Sequence, residues 1–163
     1  MIYSRSAAYA IRALMHLARI PDGTYVMARS IAEEEGVPGH FLAKILQRLA
    51  RKGMVKSCKG PNGGFALPKP AREIRLVDVV AAVDGLEDYR ACIYGYGECN
   101  DSAACAMHDG WSPLRSRIME YLERNSIADL SKALDRKRKM LAGGGGSKAG
   151  RPRAGFKKGL VSI

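Results

Sequence analysis

Residues 36–67 read GVPGHFLAKILQRLARKGMVKSCKGPNGGFAL, and the fold turns on them. Phe41, Leu42, Ile45 and Leu49 recur at helical spacing, with His40, Lys44, Gln47, Arg48 and Arg51 on the opposite face, which predicts an amphipathic helix over 38–52. Pro38 suits its first turn and Gly53 lies just past its end. Upstream, residues 27–35 predict a shorter helix stopped by Gly36. Two short helices across the tight Gly36-Val37-Pro38 turn make a helix-turn-helix, whose second helix enters the DNA major groove. A basic face that is merely solvated reads the same way up to this point.

The following residues separate the two readings. Val55–Lys59 and Phe65–Leu67 read as strands around Gly60-Pro61-Asn62-Gly63-Gly64, and Asn62-Gly63 is a hairpin signal because both turn positions tolerate positive φ. A hairpin directly after a helix-turn-helix is a wing. Its glycines allow close backbone approach, and Lys59 and Lys69 reach phosphates or the minor groove. The candidate DNA contacts are therefore Arg29, Ser30, His40, Lys44, Arg48, Lys59, Gly60, Pro61, Asn62, Gly63 and Gly64. A nucleotide phosphate loop is rejected, because the G-x-x-x-x-G-K-[ST] spacing is absent and no helix follows. Cys58, in the first wing strand, reads as a small buried hydrophobe.

Working outward, Tyr3–Arg19 predicts a first helix, with Ala8, Ile11, Leu14, Met15 and Ala18 on one face and Ser4 or Ser6 as cap. It contains no Asp or Glu. Its His16 reads as structural or surface. Downstream, Leu76–Asp84 predicts another helix, closed by Gly85.

Then Cys92, Cys99, Cys105 and His108 follow as C-x6-C-x5-C-x2-H within seventeen residues. Gly95, Gly97, Asn100 and Asp101 between them suit an irregular loop. Thiolates and imidazole are good ligands for iron–sulfur clusters, zinc and copper, and a short loop bearing four of them can wrap one centre. Ser112-Pro113 predicts the start of a long helix bearing Leu114, Ile118, Tyr121 and Leu122, expected to pack against its twin in a homodimer, because one small winged helix reads one half-site. Ser126 with Asp129 resembles a capping box for a last helix carrying Ile127, Leu130, Leu134 and Leu141. Residues 143–163 open with Gly143-Gly144-Gly145-Gly146-Ser147 and read as a disordered basic tail.

The expected division is a DNA-binding domain over 1–85, a ligand loop over 86–110, dimerisation helices over 111–142 and the tail. The fold class is mainly α with a small β-hairpin: a winged helix-turn-helix with a long C-terminal dimerisation helix. The chain has 163 residues and a formal charge of +11, unevenly placed. Residues 1–75 carry 13 Lys/Arg against 5 Asp/Glu, residues 76–135 carry 5 against 11, and residues 136–163 carry 9 against none. A basic front half beside an acidic middle points to double-stranded DNA as partner for residues 1–75. No run of eighteen apolar residues exists, and Arg12, His16 and Arg19 interrupt any leader, so no membrane and a cytoplasmic location are expected. In that compartment clustered cysteines bind metal or act in redox chemistry more often than they form disulfides.

Four segments together resemble the Rrf-type family of bacterial winged-helix regulators: YSRSAAYAIRALMHLA (3–18), FLAKILQRLARKGMVKSCKGPNGGFALPKP (41–70), LVDVVAAVDG (76–85) and CIYGYGECNDSAACAMH (92–108). The resemblance implies a homodimeric transcription regulator, a repressor by expectation, with one iron–sulfur cluster per subunit sensing redox state, iron or nitric oxide. It matches Cys92, Cys99 and Cys105 to the family's cluster thiolates and His108 to the fourth ligand of a [2Fe-2S] branch. In the nitric-oxide-sensing branch a carboxylate on the first helix takes that place; the first helix here has none, which favours [2Fe-2S] over [4Fe-4S]. The resemblance also matches Lys59 to a minor-groove contact and His40 and Lys44 to base-facing positions. The alternatives are a zinc-stabilised module, since three cysteines and a histidine make a structural zinc site, and a cluster-free regulator. No second cofactor motif or substrate-pocket signature supports an enzyme.

Overall fold

The computed structural model describes residues 2–143 except Asn62. Helix α1 (Arg5–Leu17) is the hub: α2 (Ala28–Glu35), α3 (Gly39–Arg51), α4 (Leu76–Val83) and α6 (Ile127–Gly143) all pack on it. The Ser4 hydroxyl accepts the Ala7 N–H at 3.1 Å and sets the start of α1. Ala7, Ala10, Ala13, Leu14 and Leu17 are buried along it, the alanines letting neighbouring helices come close. His16 is buried with them, beside Glu34 and Glu35. Buried Glu35 on α2 takes Arg12 at 3.4 Å and Arg19 at 3.1 Å, which ties α1 to the first helix of the helix-turn-helix.

In α3 the buried arc is Leu42, Ile45, Leu46 and Leu49. Leu46 belongs to it and Phe41 does not. Phe41 lies just outside the arc, about 40° beyond Ile45, is 37% exposed, and meets Tyr9 edge-on with ring centroids 5.8 Å apart. Gly36 is left-handed at φ 61°, and the next residue's N–H returns to the Ala32 carbonyl at 2.9 Å, closing α2. Pro38 caps α3 from outside rather than opening its first turn.

The wing strands are β1 (Lys56–Cys58) and β2 (Gly64–Ala66), antiparallel with Cys58 opposite Gly64. Five residues, 59–63, therefore separate the strands, as many as expected, but set one position earlier than 60–64. Gly63 N–H donates to the Gly60 carbonyl at 2.9 Å, so Pro61 takes the first central position of the turn. The positive φ values fall on Gly60 (109°) and Gly64 (146°), and not on Gly63; Asn62 lies outside the described residues. Only glycine fits position 64, since a Cβ there would lie 2.3 Å from the Val26 carbonyl oxygen. That approach comes from a pairing the sequence did not announce: Val26 exchanges both backbone hydrogen bonds with Phe65 (3.0 and 2.8 Å), adding a third line to the sheet. Cys58 is exposed, contrary to expectation, because β1 is an edge strand with solvent on both faces.

Residues 74–76 run against 125–127, with Leu76 N–H on the Asn125 carbonyl (3.0 Å) and Ile127 N–H on the Ile74 carbonyl (2.9 Å). This pins the starts of α4 and α6 together. The α6 cap is as expected: Ser126 Oγ accepts the Asp129 N–H (3.2 Å) and Asp129 Oδ2 accepts the Ser126 N–H (3.0 Å). The Ser126 hydroxyl also donates to Asp129 Oδ2 (2.6 Å), and this bond first, with the Ser126 N–H second, holds the Asp129 carboxyl below its ordinary 3.8. Burial fades along α6, with Met140 and Leu141 exposed, so Leu141 is no part of its inner face. The helix includes Gly143, and the rest of the expected tail, 144–163, lies outside the described residues.

Helix α5 (His108–Arg124) starts earlier than Ser112-Pro113 suggested and runs through Pro113. The proline costs one helical bond and leaves the carbonyl of Asp109, an exposed first-turn residue, without its helical donor. No helix among the described residues is long and apolar enough to cross a membrane.

Candidate cysteine site and DNA-reading surface

The cysteine segment is more ordered than an irregular loop. Ala91 and Glu98 bridge antiparallel, Cys92 N–H donates to the Gly97 carbonyl (2.8 Å) and Cys99 N–H to the Arg90 carbonyl (3.0 Å). Cys92 and Cys99 thus stand on the two legs of a small hairpin. Gly95 and Gly97 turn its tip at φ 78° and 79°, where a side chain would be strained. The tip folds back on the first cysteine: N–H groups of Tyr94, Tyr96 and Gly95 point at the Cys92 sulfur. Led by the Tyr94 N–H, and against partial burial, they and the Cys105 side chain hold the Cys92 thiol below its ordinary 9.0. Amides aimed at a sulfur favour the thiolate, the form that binds metal.

His108 is the first residue of α5, and its N–H donates to the Cys105 carbonyl at 2.9 Å. The imidazole is buried. Its Nε2 lies 2.8 Å from Asp101 Oδ1, and an ionised carboxylate only accepts, so Nε2 carries the proton. Nδ1 then carries the lone pair and accepts from the Cys99 thiol at 3.3 Å. Ligating histidines have this arrangement, one nitrogen toward the metal and the other anchored on a carboxylate.

The structure therefore brings the four sequence-identified donors into one segment, with Cys99 in contact with His108. Among the described residues no three Cys, His, Asp or Glu side chains are already grouped as a metal site. By chemistry the set fits an iron–sulfur cluster: three thiols, one of them cradled by amides, and one imidazole whose lone pair faces the Cys99 sulfur.

Two side chains that the sequence did not single out lock this segment to α5. Trp111 Nε1–H donates to the Ala91 carbonyl (3.1 Å), and Arg115 donates to the carbonyls of Arg90 (3.0 Å) and Cys99 (3.4 Å). They lie four apart on one face of α5 and grip both hairpin legs at the base. The only hint was the single tryptophan, three residues after His108. Tyr89, just before the hairpin, donates its hydroxyl to the Ile2 carbonyl, and Ser4 hydrogen-bonds Asp84. The chain's start is thus attached to the same corner.

On the basic side, His40, Lys44 and Arg48 are exposed along α3, and Arg29 and Ser30 at the start of α2. Arg29 is paired with Glu33 on its own helix at 2.8 Å. Arg48 lines an open groove with Ile2, Tyr3, Asp84, Trp111 and Arg115, so it faces the α5 side of the domain. Lys59, Gly60 and Pro61 are exposed at the wing tip. Gly63 is buried against the Cys58 carbonyl, so it and Gly64 shape the wing itself.

The model of the family Rrf2, described as iron-dependent transcriptional regulator, matches residues 3–133. Among curated proteins, the HTH-type transcriptional regulator IscR of Vibrio campbellii is 32% identical over 124 residues, 76% of this chain and 73% of that protein. An HTH-type transcriptional regulator of Aquifex aeolicus is 34% identical over 132 residues, 80% of this chain and 91% of the relative. Among solved structures, CymR, the global cysteine regulator of B. subtilis, superposes with a TM-score of 0.67 at 23% identity, over 80% of this chain and 95% of that one. T. potens IscR follows at 0.65 and 23%, over 83% and 89%. At that identity the structural likeness speaks for the winged-helix fold.

Proposed function

The chain belongs to the Rrf2 family of DNA-binding transcriptional regulators, and on that footing we propose that it is a homodimeric repressor whose grip on its operator is set by an iron–sulfur cluster on Cys92, Cys99, Cys105 and His108. The observation that carries this reading is the His108 geometry: Nε2 fixed by Asp101, and the Nδ1 lone pair turned to the Cys99 thiol. A [2Fe-2S] centre is favoured over [4Fe-4S], since α1 offers no carboxylate as an alternative ligand. When bound, the cluster supplies a centre that responds to oxidants, iron supply or nitric oxide.

The chain's own residues carry the response. Asp101 holds the imidazole in the ligating tautomer. Trp111 and Arg115 join the hairpin base to α5, so a shift in the hairpin is a shift of that helix. Leu114 and Tyr121 on α5 are 51% and 49% exposed, an apolar face suited to the same helix of a second copy. Two copies joined there would set the spacing between two recognition helices and two wings, and a small rotation changes whether both half-sites are met.

Anaerobic purification followed by optical and paramagnetic spectra, with iron, zinc and acid-labile sulfide analysis, tests the cluster. Iron and sulfide in equal amounts with visible charge-transfer bands are expected. Zinc without sulfide would instead favour a structural zinc site, and a metal-free protein with unaltered operator binding would remove the sensor.

A further inference from the structure

The outward face of α3 is not the set of contacts that the sequence singled out. At about 100° per residue, His40, Lys44, Gln47 and Arg51 fall within about 60° of one another, opposite the buried arc of Leu42, Ile45, Leu46 and Leu49. All four are exposed. Arg48 stands about 70° to one side of this stripe, over the groove beside α5, and Ala43 about 70° to the other, against α2. Of the basic side chains on α2 and α3, only Arg29 is ion-paired among the described residues. The stripe thus sets one uncharged amide, Gln47, between the unpaired cations Lys44 and Arg51.

Distance along the helix separates their roles. His40 to Gln47 spans about 10.5 Å, which fits within the major groove's width of about 12 Å. Arg51 lies about 6 Å further on, where the groove wall carries phosphates. A side-chain amide has a donor and an acceptor side by side, and adenine presents the matching pair in the major groove. We infer that Gln47 reads an adenine in the operator, its N–H donating to N7 and its oxygen accepting from the N6 amino group, and that Arg51 clamps the adjoining backbone. An amide is the only group on the stripe that can do both at one base; a lysine only donates. This inference rests on the DNA binding of the family, deepens it by naming the base that is read, and does not depend on the cluster.

The test takes the full-length parent, Gln47→Ala, Gln47→Glu and Arg51→Ala through selection of duplexes from a random library at fixed salt. Each is used as purified anaerobically and again after removal of metal, with circular dichroism confirming the fold. The parent should enrich an A·T pair at a position where Gln47→Ala accepts all four pairs, the other positions being unchanged. Replacing that pair should weaken the parent about tenfold and leave Gln47→Ala about where it was. Gln47→Glu carries only acceptors and should move the preference to cytosine, whose N4 amino group donates. Arg51→Ala should keep the parent's preferences, bind every duplex more weakly, and lower the slope of log affinity against log salt by about one. A Gln47→Ala profile identical to the parent's, or a loss spread evenly over all positions, would overturn the base contact. An unchanged salt slope in Arg51→Ala would overturn the clamp. A parent that enriches no sequence would overturn the DNA-binding reading itself and the base contact with it, so the two failures are told apart.

Discussion

Helix α1 buries eight of its thirteen residues; α5, longer by four, buries only His108 and Leu122. Both carry apolar stripes. The first stripe is covered on four sides by the chain's own helices, whereas Leu114 and Tyr121 of the second face outward. The DNA-binding half thus completes its own core, while the cysteine half has α5 fixed to the hairpin on one side and an uncovered apolar face on the other. A regulator needs this division: a rigid reader, and a lever whose position depends on what is attached to it.

The largest effect should come from the covered side. Leu14→Ala removes a fully buried side chain from the helix on which four others pack. It should cost about 2–5 kcal/mol in denaturant unfolding, independent of protein concentration. Leu114→Ser together with Tyr121→Ser should leave the fold intact by circular dichroism and instead weaken self-association by about 2 kcal/mol or more, read by sedimentation. Equal self-association in this variant and the parent would dissolve the contrast between the helices.

Smaller than both is the effect at the α6 cap. Ser126→Ala should cost about 1 kcal/mol of stability. The pH dependence follows from Asp129, whose folded-state value is depressed by Ser126. Its contribution is complete above the ordinary carboxylate value of 3.8 and is lost as pH falls through the lowered folded-state value. In Ser126→Ala that acid-side loss should flatten, checked by unfolding at stepped pH from neutral to strongly acid.

The smallest expected effect tests the lever. Arg115→Ala removes the α5 bonds to Arg90 and Cys99, leaving only that of Trp111 to Ala91, without touching a thiol. It should leave cluster content unchanged while shrinking the difference in DNA affinity between cluster-bound and cluster-free protein by about 0.5–2 kcal/mol. Titration of both forms against the same duplex reads it, and an undiminished difference would place the coupling elsewhere.

The helix-turn-helix was legible because its signals agree: an apolar arc at helical spacing, Gly36 at a left-handed stop and Pro38 at a start. The wing was legible as a hairpin, but its turn was misassigned. Asn62-Gly63 is the stronger local signal, yet Pro61 fits the position after Gly60, and the Val26–Phe65 pairing fixes glycine at position 64. Local strength misled again at α5. Ser112-Pro113 looks like a helix start, but the helix begins where His108 turns in toward Cys99 and Asp101. The donors themselves were readable from their spacing. The pairing of Cys99 with His108, and the Trp111–Arg115 grip, depend on contacts between α5 and the hairpin that no periodicity records.

The most direct test of the central claim is a pair of binding isotherms on one duplex, selected by the protein from random DNA. One is taken with the iron–sulfur-loaded protein and one after anaerobic removal of the cluster from the same sample, at fixed salt. Two affinities differing by on the order of tenfold or more are expected. Superimposable isotherms from a sample whose spectrum proves the cluster present and then gone would contradict it.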